Sequence, residues 1–137
     1  MGNYSVNSFS FPVRVYYEDT DAGGVVYHAN YLMFFERART EFLRHLGFSQ
    51  SELKTKVNVM FVVRSLQIKY LQPARFDELL EIVTSVSQQG RSAMLFEQTL
   101  QRGEATLTRA SVEVVCVSTE TFKPVAIPAT ILTKIIS

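Results

Sequence analysis

Residues 16–45 read YYEDTDAGGVVYHANYLMFFERARTEFLRH, and this stretch decides the fold. It begins with an acidic, glycine-containing segment and continues into apolar residues at helical spacing. Asp and Gly at such density are typical of a loop that needs positive φ or a close backbone approach. We therefore predict a strand end, a sharp loop over residues 19–30, and a helix that starts near residues 29–31 and ends at Gly47.

The predicted helix has an unusually wide apolar surface. Its polar residues follow i, i+3, i+4, i+7 spacing and form one narrow stripe, which indicates a helix covered on most sides. Asn30 and His28 are both possible N-caps. Ser49, followed three residues later by Glu52, predicts a second, short helix around residues 50–55. The apolar positions of the long helix are Tyr31, Leu32, Phe34, Phe35, Ala38, Phe42, Leu43 and Leu46.

Alternating apolar and polar residues predict strands on both sides of this region. From Phe11 onward every second residue is apolar, which predicts a half-buried strand and places Tyr17 on its inward face beside the loop. Four further alternating segments follow the helices and are separated by short turns, so we expect an antiparallel meander. Pro128 predicts the start of a short C-terminal helix, where its missing N–H costs nothing.

These elements predict an α+β domain in which an antiparallel sheet of about five strands wraps around one long central helix. A chain of 137 residues suffices for one domain. We expect a flexible N-terminal segment over residues 1–10 and a single domain over residues 11–137. One sheet leaves open edges, so at least a homodimer is expected.

Composition excludes several classes of protein. The formal net charge is +1, which argues against a nucleic-acid footprint. No apolar run is long enough to span a membrane, and the N-terminus lacks a signal-peptide pattern. The single cysteine, Cys116, cannot form an internal disulfide, so we expect a cytoplasmic setting.

Asp19 and Asp21 are the first candidates for chemistry. Spacing alone favours two turn formers whose carboxylates accept bonds from nearby N–H groups, and the further ligands of a calcium loop are absent. His28, close to the predicted helix start, has a cap or a packing role as its ordinary interpretation. His45 suits the dipole at the far end of the same helix, and a zinc site is not indicated. A carboxylate aimed at the free N–H groups of a helix start would nevertheless suit acyl transfer.

The run V-Y-Y-E-D-T-D-A-G-G-V-V-Y-H-A-N-Y at residues 15–31 closely resembles the 4-hydroxybenzoyl-CoA thioesterase family of hotdog-fold enzymes. Within that family it resembles most the YbgC-type acyl-CoA thioesterases of bacteria, which are associated with the Tol-Pal envelope system. The resemblance covers nearly all of the chain after residue 10. It continues through F-F-E-R-A-R-T-E-F-L, F-V-V-R-S-L-Q-I-K-Y, P-A-R-F-D-E and K-P-V-A-I-P.

The resemblance implies hydrolysis of acyl-CoA to free acid and CoA without a metal or redox cofactor. It implies that Asp21 is the catalytic carboxylate, that Tyr17 and His28 accompany it, and that the oxyanion contact is a backbone N–H at or beside His28. Asp19 is then left to shape the turn. It also implies a homotetramer built from dimers, with acyl carrier protein as a possible further partner.

We expect the substrate to contact the residues between Asp21 and His28. Gly23 and Gly24 have a mechanical reason to be there, since a side chain would block approach of the thioester to the backbone. Val25 and Tyr27 complete the expected substrate-binding set. An alternative function is a weakly catalytic or non-catalytic hotdog module that binds acyl chains or acyl carrier protein, and a hotdog dehydratase is a third possibility with a differently spaced motif.

Overall fold

The computed structural model describes residues 8–136 of the chain, without the side chain of Ile136. Its five strands are β1 (Phe9–Arg14), β2 (Val59–Tyr70), β3 (Leu79–Gln89), β4 (Ala93–Arg102) and β5 (Ala105–Ser118). The helices are α1 (Asn30–His45), α2 (Gln50–Glu52) and α3 (Ala129–Ile136). A π-helical turn, Leu53–Val57, follows α2, and a 3₁₀ turn, Tyr17–Asp19, precedes α1.

All five strands form one antiparallel sheet in the order β1-β3-β4-β5-β2. The strands β3, β4 and β5 form the predicted meander. The strand β2 departs from it, because β2 pairs with β5 and lies at the opposite side of the sheet from β3. The chain therefore crosses the sheet between Tyr70 and Leu79 instead of turning back into a neighbouring strand.

The inward faces of β3, β4 and β5 match the predicted alternation, whereas the alternating residues Val62, Leu66 and Tyr70 of β2 are exposed. Leu80, Ile82, Thr84 and Val86 are all buried on β3, and the equivalent positions of β4 and β5 are buried as well. The first strand begins at Phe9, two residues before the predicted start, so Phe9 and Ser10 pair with β3. Residues 1–7, which belong to the predicted flexible segment, lie outside the described residues.

The helix α1 packs its apolar side against the sheet. Phe34, Phe35, Ala38 and Phe42 are each at most 1% exposed, and the ring of Phe42 packs edge-on against Phe96 on β4, with 5.9 Å between centroids. Burial of one such aromatic side chain stabilises the fold by about 1.5–3 kcal/mol. The sheet thus wraps the helix as predicted. This packing fixes the position of α1 and hence of the backbone N–H groups at its start.

The predicted ends of the helices are confirmed in part. Ser49 Oγ accepts the Glu52 N–H at 3.4 Å and caps α2, as expected. The predicted caps of α1 are wrong, because Ala29 occupies the N-cap position and no side chain caps this helix. Asn30 is the first helical residue, and its side chain donates instead to the backbone oxygen of Asp19 at 2.9 Å.

Candidate active site

The loop between the 3₁₀ turn and α1 is closed by Asp19. Its side chain is buried, and Oδ2 accepts the backbone N–H of Tyr16 at 2.8 Å. Its backbone oxygen accepts the N–H of Tyr27 at 3.1 Å and the side-chain amide of Asn30 at 2.9 Å. Asp19 therefore joins both ends of the loop, and its carboxylate is engaged in structure.

Asp21 is placed differently, although it is only two residues away. It is exposed, and its Oδ1 accepts the N–H of Gly23 at 2.8 Å. Its backbone N–H donates to the Val25 oxygen at 2.9 Å, and its own oxygen accepts the Gly24 N–H at 3.1 Å. Within residues 8–136, Oδ2 has no hydrogen-bond partner. The turn therefore holds the carboxylate by one oxygen and leaves the other available.

The two glycines serve this turn for different reasons. Gly24 has φ +80°, a conformation that a residue with a side chain adopts only with strain. A Cβ on Gly23 would lie 3.3 Å from Asp21 Oδ1, so a side chain there would crowd the carboxylate itself. Both positions were predicted to admit substrate, and the structure adds that they also hold Asp21 in place.

The start of α1 presents unpaired backbone donors. The N–H of Asn30 bonds to Tyr27 and that of Leu32 to Ala29, whereas the N–H groups of His28, Ala29 and Tyr31 have no acceptor within the described part of the chain. The first turn of a helix carries the positive end of its dipole. Such a group of donors can stabilise a developing negative charge on oxygen.

Tyr17 does not lie on an inward face, and the strand-parity prediction is wrong. Regular strand structure ends at Arg14, and the 3₁₀ turn that begins at Tyr17 breaks the alternation. The side chain is 80% exposed, and its ring packs edge-on against Phe76 at 5.6 Å. Its catalytic role remains a prediction.

His28 and Tyr27 are both exposed, and their rings lie 4.4 Å apart. The backbone oxygen of His28 accepts the hydroxyl of Tyr70 at 2.8 Å, which ties the helix start to the end of β2. In the described residues no hydrogen bond joins the side chains of Tyr17 or His28 to Asp21. The structure therefore places Tyr17 in the 3₁₀ turn and Asp21 and His28 on the loop that follows, without hydrogen bonds, within residues 8–136, from Tyr17 or His28 to the Asp21 side chain.

The crossing segment between β2 and β3 supports the loop, and sequence reasoning missed this. Val26 N–H donates to the Ala74 oxygen at 2.9 Å, and Phe76 N–H donates to the Gly24 oxygen at 3.3 Å. The hydroxyl of Tyr31, which is buried, accepts the Ala74 N–H at 3.1 Å. No local sequence signal links these positions, because the partners lie more than forty residues apart in the chain.

Charged groups brace the same segment. Arg102 Nε and Nη2 donate to the two carboxylate oxygens of Glu78 at 2.6 and 2.8 Å, and Nη2 also donates to the Pro73 oxygen at 3.0 Å. The hydrogen bond from Arg102 lowers the pKa of Glu78. Burial raises the pKa of Tyr31, and the negative charge of Asp21 contributes in the same direction.

An apolar groove, which we call the α1–β2 groove, follows the exposed side of α1. It lies between α1 and β2, and its lining begins at Leu32 in the first turn of α1. Leu32 and Met33 are 38% and 46% exposed there, although the helix was predicted to be covered on most sides. The groove is lined by Leu32, Met33, Phe35, Glu36, Arg39, Val63, Leu66 and Val112.

Other kinds of site are not indicated in the described residues. No group of three or more His, Cys, Asp or Glu side chains within residues 8–136 is arranged to hold a metal ion. No helix in that range is long and apolar enough to cross a membrane. Cys116 is buried, and burial raises the pKa of its thiol.

One antiparallel sheet wrapped around a central helix, with an exposed carboxylate on the loop that leads into that helix, is the arrangement of a hotdog-fold thioesterase. The sequence profile of the Thioesterase superfamily matches residues 23–109, and the chain belongs to that superfamily. This confirms the predicted fold and the predicted enzyme class, a thioester hydrolase.

Similarity to curated relatives narrows this assignment. It is 56% identical to "Acyl-CoA thioesterase YbgC" of Haemophilus influenzae, over 89% of this chain and 90% of that protein. It is 50% identical to "Acyl-CoA thioester hydrolase YbgC" of Escherichia coli, over 92% and 94%. A crystal structure of a probable thioesterase from Bartonella henselae, 42% identical, superposes with a TM-score of 0.85 over 89% of this chain and all of that one.

Proposed function

We propose that this enzyme hydrolyses acyl-CoA to a free acid and CoA, with Asp21 as its catalytic carboxylate. One observation carries the proposal. Asp21 is exposed, is held through Oδ1 by Gly23 and keeps Oδ2 unbonded among residues 8–136, on the loop that leads into the unpaired N–H groups of α1. The names of the YbgC relatives support the choice of acyl-CoA as substrate.

Two routes are open to Asp21. As a nucleophile, Oδ2 attacks the thioester carbon, CoA leaves as the thiolate, and water then hydrolyses the mixed anhydride. As a general base, Oδ2 takes a proton from the water that attacks. In both routes the thioester oxygen gains negative charge, and the N–H groups at the start of α1 stabilise it. Loss of one such donor typically costs about 10²–10³ in rate.

We assign the other predicted residues to supporting roles. Tyr17 positions water or hydrogen-bonds to Asp21, and His28 orients the substrate at the helix start. Tyr27 and Val25 flank the acyl group near the thioester. Because Tyr17 and His28 are exposed in the protomer, these roles require side-chain adjustment when the substrate binds.

We propose that Arg75 contacts the phosphates of CoA. It is exposed and pairs with Val25 at the edge of the catalytic loop. Among other cations, Arg64 is already paired with Glu113 at 2.7 Å, and Lys69 and Arg109 line a recess on the outer face of the sheet. Arg75 is therefore the cation best placed to contact the CoA part of a substrate whose thioester lies at the catalytic loop.

We propose that two copies associate through β2 and that dimers pair into a tetramer. The strand β2 lies at one edge of the sheet, and Val62, Val63 and Leu66 are 38%, 51% and 38% exposed on it. Val63 and Leu66 line the α1–β2 groove together with Leu32 and Met33, and an exposed apolar face of this kind favours association. A second copy would cover the α1–β2 groove and exclude water from it.

We place the enzyme in the cytoplasm, in keeping with its single cysteine, and we retain the Tol-Pal association and acyl carrier protein as hypotheses from the resemblance. A panel of acyl-CoA substrates tests hydrolysis itself. Thiol release that saturates with at least one member supports the proposal. Saturable binding without thiol release from any member would instead support the non-catalytic module.

A further inference from the structure

Arg39, on the third turn of α1, reaches inward between the helix and the sheet. Its Nη1 donates to Gln98 Oε1 at 3.0 Å, and Gln98 is only 1% exposed. Gln98 in turn donates to the Phe35 oxygen at 2.9 Å and to Thr84 Oγ1 at 3.0 Å. Burial lowers the pKa of Arg39. A guanidinium is thus held in a largely apolar layer by a single neutral partner.

Most of the N–H donors of the Arg39 guanidinium have no hydrogen-bond partner within residues 8–136. A guanidinium carries five N–H donors, and the bond to Gln98 is the one hydrogen bond that its side chain makes within residues 8–136. Glu36 lies one turn earlier but forms no ion pair with Arg39, and its Oε2 accepts the hydroxyl of Thr40 at 2.7 Å. Arg39 is half-buried, and few acceptors reach its partly desolvated charge within the described residues. Its remaining donors are therefore available to an acceptor from another molecule.

Arg39 lines two neighbouring cavities. One is the α1–β2 groove, and the other continues toward the far end of α1. Both are lined by Glu36, Arg39 and Val63. Arg39 is seven residues beyond Leu32, so it lies about 10 Å along the helix from the mouth of the groove. An extended chain with its first atom beside Leu32 would therefore need about eight bonds to reach the guanidinium of Arg39.

We propose that the acyl group of the substrate extends along the α1–β2 groove and that Arg39 binds an oxygen acceptor at its distal end. The inference rests on the hydrolysis proposed above. The chemistry shared by its substrates is a chain of about eight bonds that ends in an oxygen, either a carboxylate or a hydroxyl. The charge of Arg39 suits a carboxylate, whereas the neighbouring Glu36 suits a hydroxyl that both donates and accepts.

The test uses the full chain of the protein and compares three CoA thioesters whose acyl groups have the same length. They are octanoyl-CoA, its ω-hydroxy analogue and its ω-carboxy analogue, and thiol release gives kcat/KM for each. We expect at least one oxygenated substrate to exceed octanoyl-CoA about tenfold, equivalent to about 1.4 kcal/mol. The oxygenated substrate with the higher kcat/KM shows whether Arg39 binds a hydroxyl or a carboxylate. The Arg39→Met variant should bring that ratio close to one, and Arg39→Lys should give an intermediate value.

Arg37→Met is the matched control, because Arg37 is exposed on the same helix. It should leave the ratio unchanged. A wild-type ratio near one, which is expected if a second copy supplies the acceptor to Arg39, would overturn the inference and leave the hydrolysis proposal standing. An Arg39→Met ratio equal to that of the wild type would do the same. No thiol release from any of the three substrates would overturn the inference, and only the absence of thiol release across the whole acyl-CoA panel would overturn the hydrolysis proposal as well.

Discussion

Replacing Asp19 with alanine should separate the structural aspartate of the loop from the catalytic one. The substitution removes the bond from Tyr16 N–H to Oδ2 at 2.8 Å and leaves that donor without its buried partner. The backbone bonds of residue 19 to Tyr27 and Asn30 do not involve the carboxylate and are retained. Loss of a cap-type bond costs about 0.5–2 kcal/mol. For a chain of this length we expect Tm to fall by about 3–8 °C.

The assay is thermal unfolding followed by circular dichroism, in parallel with thiol release well below Tm. Asp19→Asn should recover most of the lost stability, because its amide oxygen can still accept the Tyr16 N–H. Glu18→Ala, an exposed neighbour, is the control and should leave Tm nearly unchanged. A Tm for Asp19→Ala within 1 °C or so of wild type would refute the structural role given to this carboxylate.

Three further substitutions test the parts that position the site. Gly24→Ala should cost about 1–2 kcal/mol and lower activity, since φ +80° is retained only with strain, whereas Gly47→Ala, with φ +100°, should cost similar stability without comparable loss of activity. Arg102 lowers the pKa of Glu78, so this pair stabilises the fold above the unfolded pKa of about 4.3 and ceases to do so as pH falls through the lower folded pKa. Glu78→Gln should therefore reduce, by up to about 1 kcal/mol, the loss in free energy of unfolding that the wild type shows on acidification. Equal slopes of unfolding free energy against pH for the variant and the wild type, in acid titrations followed by fluorescence, would contradict this. Arg75→Gln should raise KM for acyl-CoA about two- to fivefold without affecting the matching N-acetylcysteamine thioester, while Arg109→Gln changes neither; a KM unchanged by Arg75→Gln would remove Arg75 from the CoA site.

The elements of this fold follow largely from local patterns. The alternation at Leu80, Ile82, Thr84 and Val86 predicted β3, and the wide apolar surface predicted a central α1. Ser49 predicted its cap correctly because the capping bond spans only three residues. These features depend on near neighbours, which the sequence displays directly.

The incorrect predictions have long-range or irregular causes. Tyr17 was placed inward by counting alternate residues through a strand that in fact ends three residues earlier, before a 3₁₀ turn. The strand β2 lies beside β5 because tertiary pairing, and not chain order, sets strand order. The caps expected from Asn30 and His28 are wrong because the N-cap position falls on Ala29, between them, and the Asn30 side chain bonds to Asp19 instead.

The candidate site was predictable only where it is contiguous in sequence. Asp21, Gly23, Gly24 and the start of α1 all lie within one short segment, and the resemblance distinguished Asp21 from Asp19. Tyr31 and the Glu78–Arg102 pair escaped notice because their contacts join distant parts of the chain. Arg39 was not singled out because periodicity does not reveal that its guanidinium reaches Gln98.

The most direct test of the central claim is kcat of the Asp21→Asn variant with an acyl-CoA that the wild type hydrolyses. The amide oxygen of Asn can still accept the Gly23 N–H, and the position is exposed, so the turn and Tm should be preserved. We predict that kcat falls by at least about a hundredfold, as expected when the attacking or proton-accepting oxygen is removed. Turnover close to that of the wild type in a folded Asp21→Asn protein would contradict the assignment of Asp21 as the catalytic carboxylate.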